Sequence, residues 1–325
     1  DVYKRQGHVF VLDAATGELL DDIPTYTSGT TAAGSTGSPS GLGQLNAWVD
    51  NSRLGVADRV YGGDMQGNLW RIDFDDNHLP AGKEAVLIAS LKDGAATPNA
   101  QPISVRPELA EIDVAGTKYP LIMVGTGRYL GDSDISDLSQ QTIYGIKDTL
   151  ASVTPINVRG GSLKSRTLVE TNGSSGGALD GRVIRTLTGD TLDWNADNGW
   201  YFDFNPNGVS AGERINVQMS LDSSTLTLAT NVPSPNACTV GGYALRYSVN
   251  IYNGKAVANT VDGAVGVRLG GNALVAGIRM VTLSSGKKVV VITDTSGGIV
   301  SDTLPSTGDG AVGAARRTAW REIID

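Results

Sequence analysis

This 325-residue chain has one cysteine, Cys238, and two histidines, His8 and His78. A lone cysteine closes no internal disulfide, and the two histidines are too far apart in sequence to make a His-rich zinc site with it. Cys238 reads either as a free thiol or as half of a bridge to a segment outside this chain. Charged residues make up only 18%, and acidic ones outnumber basic ones, giving a net charge of -8 and a pI near 4.8. A basic patch able to neutralise phosphates is therefore lacking, so nucleic acid is excluded as the main partner. No run of about 18 apolar residues is present, so no transmembrane helix is expected. No secretory leader is visible, but the chain does not begin with Met and enters a strand almost at once, so it reads as the C-terminal part of a longer protein.

Helical periodicity is also scarce: no segment of helical length repeats its apolar residues every 3.6 positions. What is abundant is glycine, at 42 residues, with Val, Thr, Ile and Tyr in short runs. The chain is long enough for a large core, and this composition points to an all-β fold built from strands and tight turns. The first six residues, DVYKRQ, do not fit the pattern that follows and are expected to be extraneous to the fold.

Four segments repeat one plan. GHVFVLDAATGELL from Gly7 is a strand, an Asp-x-x-Thr-Gly turn and a second strand. YGGDMQGNLWRIDFDD from Tyr61, YALRYSVNIYNGKAV from Tyr243 and TLSSGKKVVVITDTSGGI from Thr282 are looser copies. Hairpins recurring at blade-sized intervals are the mark of radial repetition. Between them, residues 26–45 form a Gly/Ser/Thr-rich stretch expected to be a long loop, and residues 150–190 are expected to hold an irregular insertion or short edge strands.

Asn46 to Asp75 carries the one candidate site. Oxygen-bearing side chains stand at Asp50, Ser52 and Asp58, with Gly55 at the sixth place of the loop and Val56 able to offer its carbonyl at the seventh. This is the skeleton of an EF-hand-like calcium loop, in which alternate residues wrap hard oxygens round one ion and glycine makes the sharp turn. Leu54, at the fifth place, donates nothing, so the loop is degraded. The same residues also suit an ordinary Asx-rich turn before a strand.

Other motifs are weighed and set aside. GSSGG, from Gly173 to Gly177, has the spacing of a nucleophile elbow, but no helix follows it and no histidine lies downstream. GTGRYLG, from Gly125, has one residue too many for a dinucleotide fingerprint. Asp132, Asp134 and Asp137 read as a solvated acidic turn rather than a second cation site. Trp70, Trp200 and Trp320 read as packing residues.

In order along the chain, ADRVYGGDMQGNLWRIDF, QPISVRPEL, GTGRYLGDSDISDLSQQTIYGIKD, GWYFDF followed by GERI, ATNVPSPNACTVGGYALRYSVN and RRTAWRE resemble the C-terminal β-propeller domain of the PilC/PilY family of type IV pilus tip-associated proteins. The resemblance covers nearly all of residues 7–325. It implies a modified quinoprotein-like propeller, seven-bladed in the family and incomplete if this chain is a fragment. It also implies a non-enzymatic pilus biogenesis factor or tip adhesin that is secreted to the periplasm, outer membrane or pilus tip. The expected roles are pilus assembly, surface adhesion and twitching motility, and the expected partners are pilins or minor pilins and host or abiotic surfaces. In that family the loop before the Gly-Asp-x-x-Gly-Asn-Leu-Trp strands binds calcium. Asp50, Val56 and Asp58 match its ligand places, Ser52 is a poor substitute and Leu54 departs from them, so weak or lost calcium binding is expected. The alternative reading is a fragment of a quinone-dependent dehydrogenase of the same architecture.

Overall fold

The computed structural model describes residues 6–28, 31–49, 57–74, 84–150, 154–234, 241–285 and 288–303. The chain is all-β, with three short 3-10 turns as its only helical elements among those residues. Strands β1 (His8–Leu12) and β2 (Leu19–Pro24) pair as the expected antiparallel hairpin. Asp13 begins its turn, taking the N–H groups of Ala15 and Thr16 at 2.9 and 2.7 Å. Residues 26–45 are more ordered than a loop, since β3 (Tyr26–Ser28) pairs with β4 (Thr31–Ala32), and Gly34 bridges Pro39.

The next four strands form one antiparallel blade: β5 (Leu45–Trp48), β6 (Arg59–Gly63), β7 (Asn68–Asp73) and β8 (Ala85–Ser90). A second blade follows from β9 (Glu108–Val114), β10 (Thr117–Gly125), β11 (Thr142–Lys147) and β14 (Gly199–Asp203). Between β11 and β14 the chain makes a hairpin of β12 (Leu163–Asn172) and β13 (Val183–Thr188). The stretch expected to hold an irregular insertion or short edge strands thus holds an inserted hairpin of two regular strands, and its Ser and Thr content suits strands whose outer face meets water. A third blade contains β15 (Ser220–Asp222), β16 (Thr225–Pro233), β17 (Gly242–Asn250), the short β18 (Lys255–Ala256) and β19 (Gly266–Arg268). The last described sheet is β20 (Val275–Thr282), β21 (Lys288–Asp294) and β22 (Ile299–Thr303).

The inserted hairpin joins two blades. β12 runs parallel to β14 from Leu163 opposite Gly199 to Arg166 opposite Phe202, and β13 pairs antiparallel with β19. One ladder thus runs from β9 through to β15.

Period-2 alternation explains how the blades stack, because successive side chains leave opposite faces of a strand. On β10, Leu121 and Met123 enter the core shared with the third blade, while Ile122 and Val124 enter the core shared with the first. On β7, Leu69 faces the second blade, and Trp70 and Ile72 face the β1–β2 hairpin. Along the inner edge β5 approaches β9, β9 approaches β15 and β15 approaches β20, which is radial packing of successive blades.

Trp200 shows how tight that packing is. Its indole N–H donates to the carbonyl of Ile251 at 2.7 Å, and a Cβ at Gly145 or Gly254 would meet the ring at 2.5 or 2.4 Å. Trp70 is likewise fully buried, so Trp70 and Trp200 are packing residues, as expected. Trp320 lies outside the described residues.

Candidate functional site

Asp50, Ser52, Leu54, Gly55 and Val56 lie outside the described residues, and Asp58 is the one expected metal ligand whose position is given. Asp58 stands where the connection from β5 returns to the sheet. Its N–H donates to the Trp48 carbonyl at 3.0 Å, and its own carbonyl accepts from the N–H of Phe74 at 3.1 Å. Both backbone groups are thus engaged by the blade, which fixes the residue at the closing end of the loop. Among the described residues, no group of three or more His, Cys, Asp and Glu side chains is placed to hold a metal ion. The donor chemistry of Asp50, Ser52, the Val56 carbonyl and Asp58 is all oxygen and fits a hard cation. With two carboxylates and a leucine at one ligand place, it fits calcium thinly.

A buried ionic cluster lies beside Asp58. Arg59, 1% exposed, stacks 6.0 Å from the ring of Trp48 and reaches within 3.4 Å of Asp73. Arg71 donates its Nε to Asp73 at 2.7 Å and one terminal nitrogen to both oxygens of Asp148 at 3.0 Å. The Tyr61 hydroxyl donates to Asp148 at 2.9 Å, and burial followed by the Asp148 charge pushes that phenol far above its ordinary value. Asp148 follows β11, so the cluster bolts the first blade to the second. Charges this deeply buried persist only when paired and hydrogen-bonded.

The turn after Tyr61 is architectural. Asp64 accepts from the N–H groups of Gln66 and Asn68 at 2.9 Å, and from the Asn68 amide and the Trp70 indole at 3.0 Å. Within GDMQGNLW, the Asp, Asn and Trp are thus one hydrogen-bonded unit.

A second buried cluster holds the inserted hairpin to the third blade. Glu213 accepts from Tyr247 at 2.6 Å, Thr230 at 2.7 Å and Arg185 at 3.2 Å, while Arg185 also donates to Glu170 at 2.6 Å. No local sequence signal marks how either cluster closes, because Asp148 lies 77 residues from Arg71 and Tyr247 lies 34 from Glu213.

Other expectations resolve into structure. Asp134 is buried rather than solvated; it accepts from Arg128 at 2.8 Å and from the N–H groups of Leu130 and Gly131 at 2.9 and 3.2 Å. Arg214 donates to the carbonyls of Asp134 and Asp137, closing the acidic turn from the other side. Ser174 of GSSGG is an anchor: its hydroxyl and N–H donate to Asp262 at 2.7 and 2.9 Å. His8 lies 2.6 Å from Asp22 across the first hairpin, whereas His78 and Cys238 lie outside the described residues.

Bladed sheets stacked about an inner edge, with Asp-anchored hairpins, define a β-propeller. The model of the PilY1 β-propeller domain matches residues 8–177, more than half of the chain, and the chain belongs to that family. It is 31% identical over 286 residues to the type IV pilus biogenesis factor PilY1 of Pseudomonas aeruginosa, covering 78% of this chain and 23% of that protein. A PilY1 homolog of Xylella fastidiosa is 30% identical over 299 residues, covering 88% of this chain and 22% of that protein. The chain therefore spans less than a quarter of the length of these relatives. The crystal structure of the P. aeruginosa PilY1 C-terminal domain superposes with a TM-score of 0.67 at 23% identity, covering 92% of this chain and 67% of that one, a likeness of fold.

Proposed function

We propose that this chain is the propeller portion of a type IV pilus biogenesis factor that works through protein and surface contacts rather than catalysis. The observation that carries the reading is its membership of the PilY1 propeller family, whose curated relatives are named as pilus biogenesis factors. In this reading the protein acts at the periplasm, outer membrane or pilus tip, binds pilins or minor pilins, and supports pilus assembly, adhesion and twitching. No helix among the described residues is long and apolar enough to cross a membrane. The test is direct binding of the purified chain to the pilins and minor pilins of its own organism, measured by surface plasmon resonance. Saturable binding to one of them supports the reading, and failure to bind any of them overturns it.

Calcium is the proposed modulator, held weakly by Asp50, Ser52, the Val56 carbonyl and Asp58. Loss of one ligand side chain at Leu54 lowers the charge count on which affinity depends. Calorimetric titration should give heat at millimolar calcium that Asp58→Ala abolishes. No heat from the unaltered chain removes calcium from the reading, and an unchanged response in the variant moves the site elsewhere.

A further inference from the structure

The inner edges of the blades frame an open cavity of about 640 Å³ with mixed polar and apolar walls, lined from four directions: Gln44 before β5, Arg106 and Glu108 at β9, residues 216–220 leading into β15, and β20 with β21. Gln218 organises one wall. Its carbonyl oxygen accepts from the Arg106 N–H at 3.2 Å, and its amide donates to the Arg106 carbonyl at 3.0 Å and to the Glu108 carboxylate at 3.2 Å. Glu108 is 1% exposed and lies 3.5 Å from the Arg106 guanidinium.

Two features point to a ligand. The Nε of Arg106 is buried and has no hydrogen-bond partner among the described residues, although buried donors are almost always satisfied. Across the cavity, Arg279 of β20 makes no ion pair among the described residues. The lining thus carries two guanidinium groups against one carboxylate, a local positive excess in a chain of net charge -8. Val217, Met219, Ile278 and Val291 add apolar surface, which suits carbon-bearing ligands better than a bare inorganic ion. The volume lies within the range of about 300–1,000 Å³ usual for small-molecule sites.

We propose that this cavity binds a small organic anion through carboxylate groups held by Arg106 and Arg279. Guanidinium groups match carboxylates in a planar, two-point geometry. Gln44 and Asn216 line the same space and supply side-chain amides for further polar contacts.

The test is isothermal titration of the chain with citrate, at constant ionic strength, beside inorganic phosphate as the comparison anion. Citrate should bind one-to-one, and Arg279→Gln should weaken it at least tenfold. Arg279 makes no ion pair among the described residues, so that variant should keep the circular dichroism spectrum and melting curve of the unaltered chain. Arg106→Gln should abolish binding, but it also strips the buried Glu108 of its cation, so Arg279→Gln decides. The proposal is overturned by absence of citrate binding, by equal affinity in Arg279→Gln, or by phosphate binding as tightly as citrate.

Discussion

One terminal nitrogen of Arg71 stands 3.0 Å from each carboxylate oxygen of Asp148, so a single guanidinium on β7 clamps the residue that follows β11 of the next blade. Both side chains are buried. Their value to the fold is the difference between a satisfied pair and an abandoned one.

Asp148→Ala should therefore destabilise the chain by about 3–5 kcal/mol, the usual cost of leaving one member of a buried pair uncompensated. Changing Arg71 and Asp148 together to leucine and alanine should cost less than the sum of the separate changes. Urea unfolding of the two single variants and the double variant closes the cycle.

Two buried aspartates should give opposite pH signatures. Burial lifts the Asp64 carboxyl above the ordinary 3.8, outweighing its hydrogen bonds from Asn68, Trp70 and Gln66. Its contribution is full below 3.8 and is lost as pH rises through the raised value. Burial also pushes Asp134 upward, but the N–H groups of Leu130 and Gly131 together with Arg128 prevail and hold it below 3.8. Its contribution is present above 3.8 and is lost as pH falls through the lowered value. Urea midpoints measured from neutral to strongly acid pH should lose the first slope in Asp64→Asn and the second in Asp134→Asn.

Gly145→Ala should place a methyl 2.5 Å from the Trp200 ring, a contact that Gly254 on the other side prevents the indole from evading. Overpacking of this kind costs about 1–3 kcal/mol. A lowered melting temperature should accompany an altered near-ultraviolet circular dichroism spectrum, since Trp200 reports on the strained place.

Tyr247→Phe should remove one of the three donors to Glu213 without creating a cavity. A hydrogen bond to a charged group contributes about 1.5–3 kcal/mol, and that is the loss expected in chemical denaturation. Burial, followed by the Glu213 charge, keeps this phenol protonated and donating well beyond neutral pH, so the loss should be constant between neutral and mildly alkaline solution.

Much of the fold was legible because its signals are local. Alternating apolar residues give the strands, and aspartates such as Asp13 and Asp64 write their turns within a few residues of themselves. Residues 150–190 read only as an irregular insertion or short edge strands because the β12–β13 hairpin finds its partners in β14 and β19, which no local pattern names. Asp134 read as a solvated turn for a similar reason: Arg214, which closes that turn, lies 80 residues away. The candidate site was only partly readable in space, with Asp58 placed and Asp50, Ser52 and Val56 outside the described residues. Arg106 and Glu108 carry one further hint, two charges flanking Pro107 at the head of a strand that continues with Leu109 and Ala110.

The parallel register of β12 on β14 has a mechanical meaning. Because that contact merges the second and third blades into one ladder, they cannot come apart without breaking a run of main-chain hydrogen bonds, whereas the first and second blades share no strand ladder and are held by isolated main-chain bonds, such as that from the Ile156 N–H to the Ile88 carbonyl, and by side chains. Under tension the seam between the first and second blades should yield first, and the Arg71–Asp148 clamp is the fastener set across it.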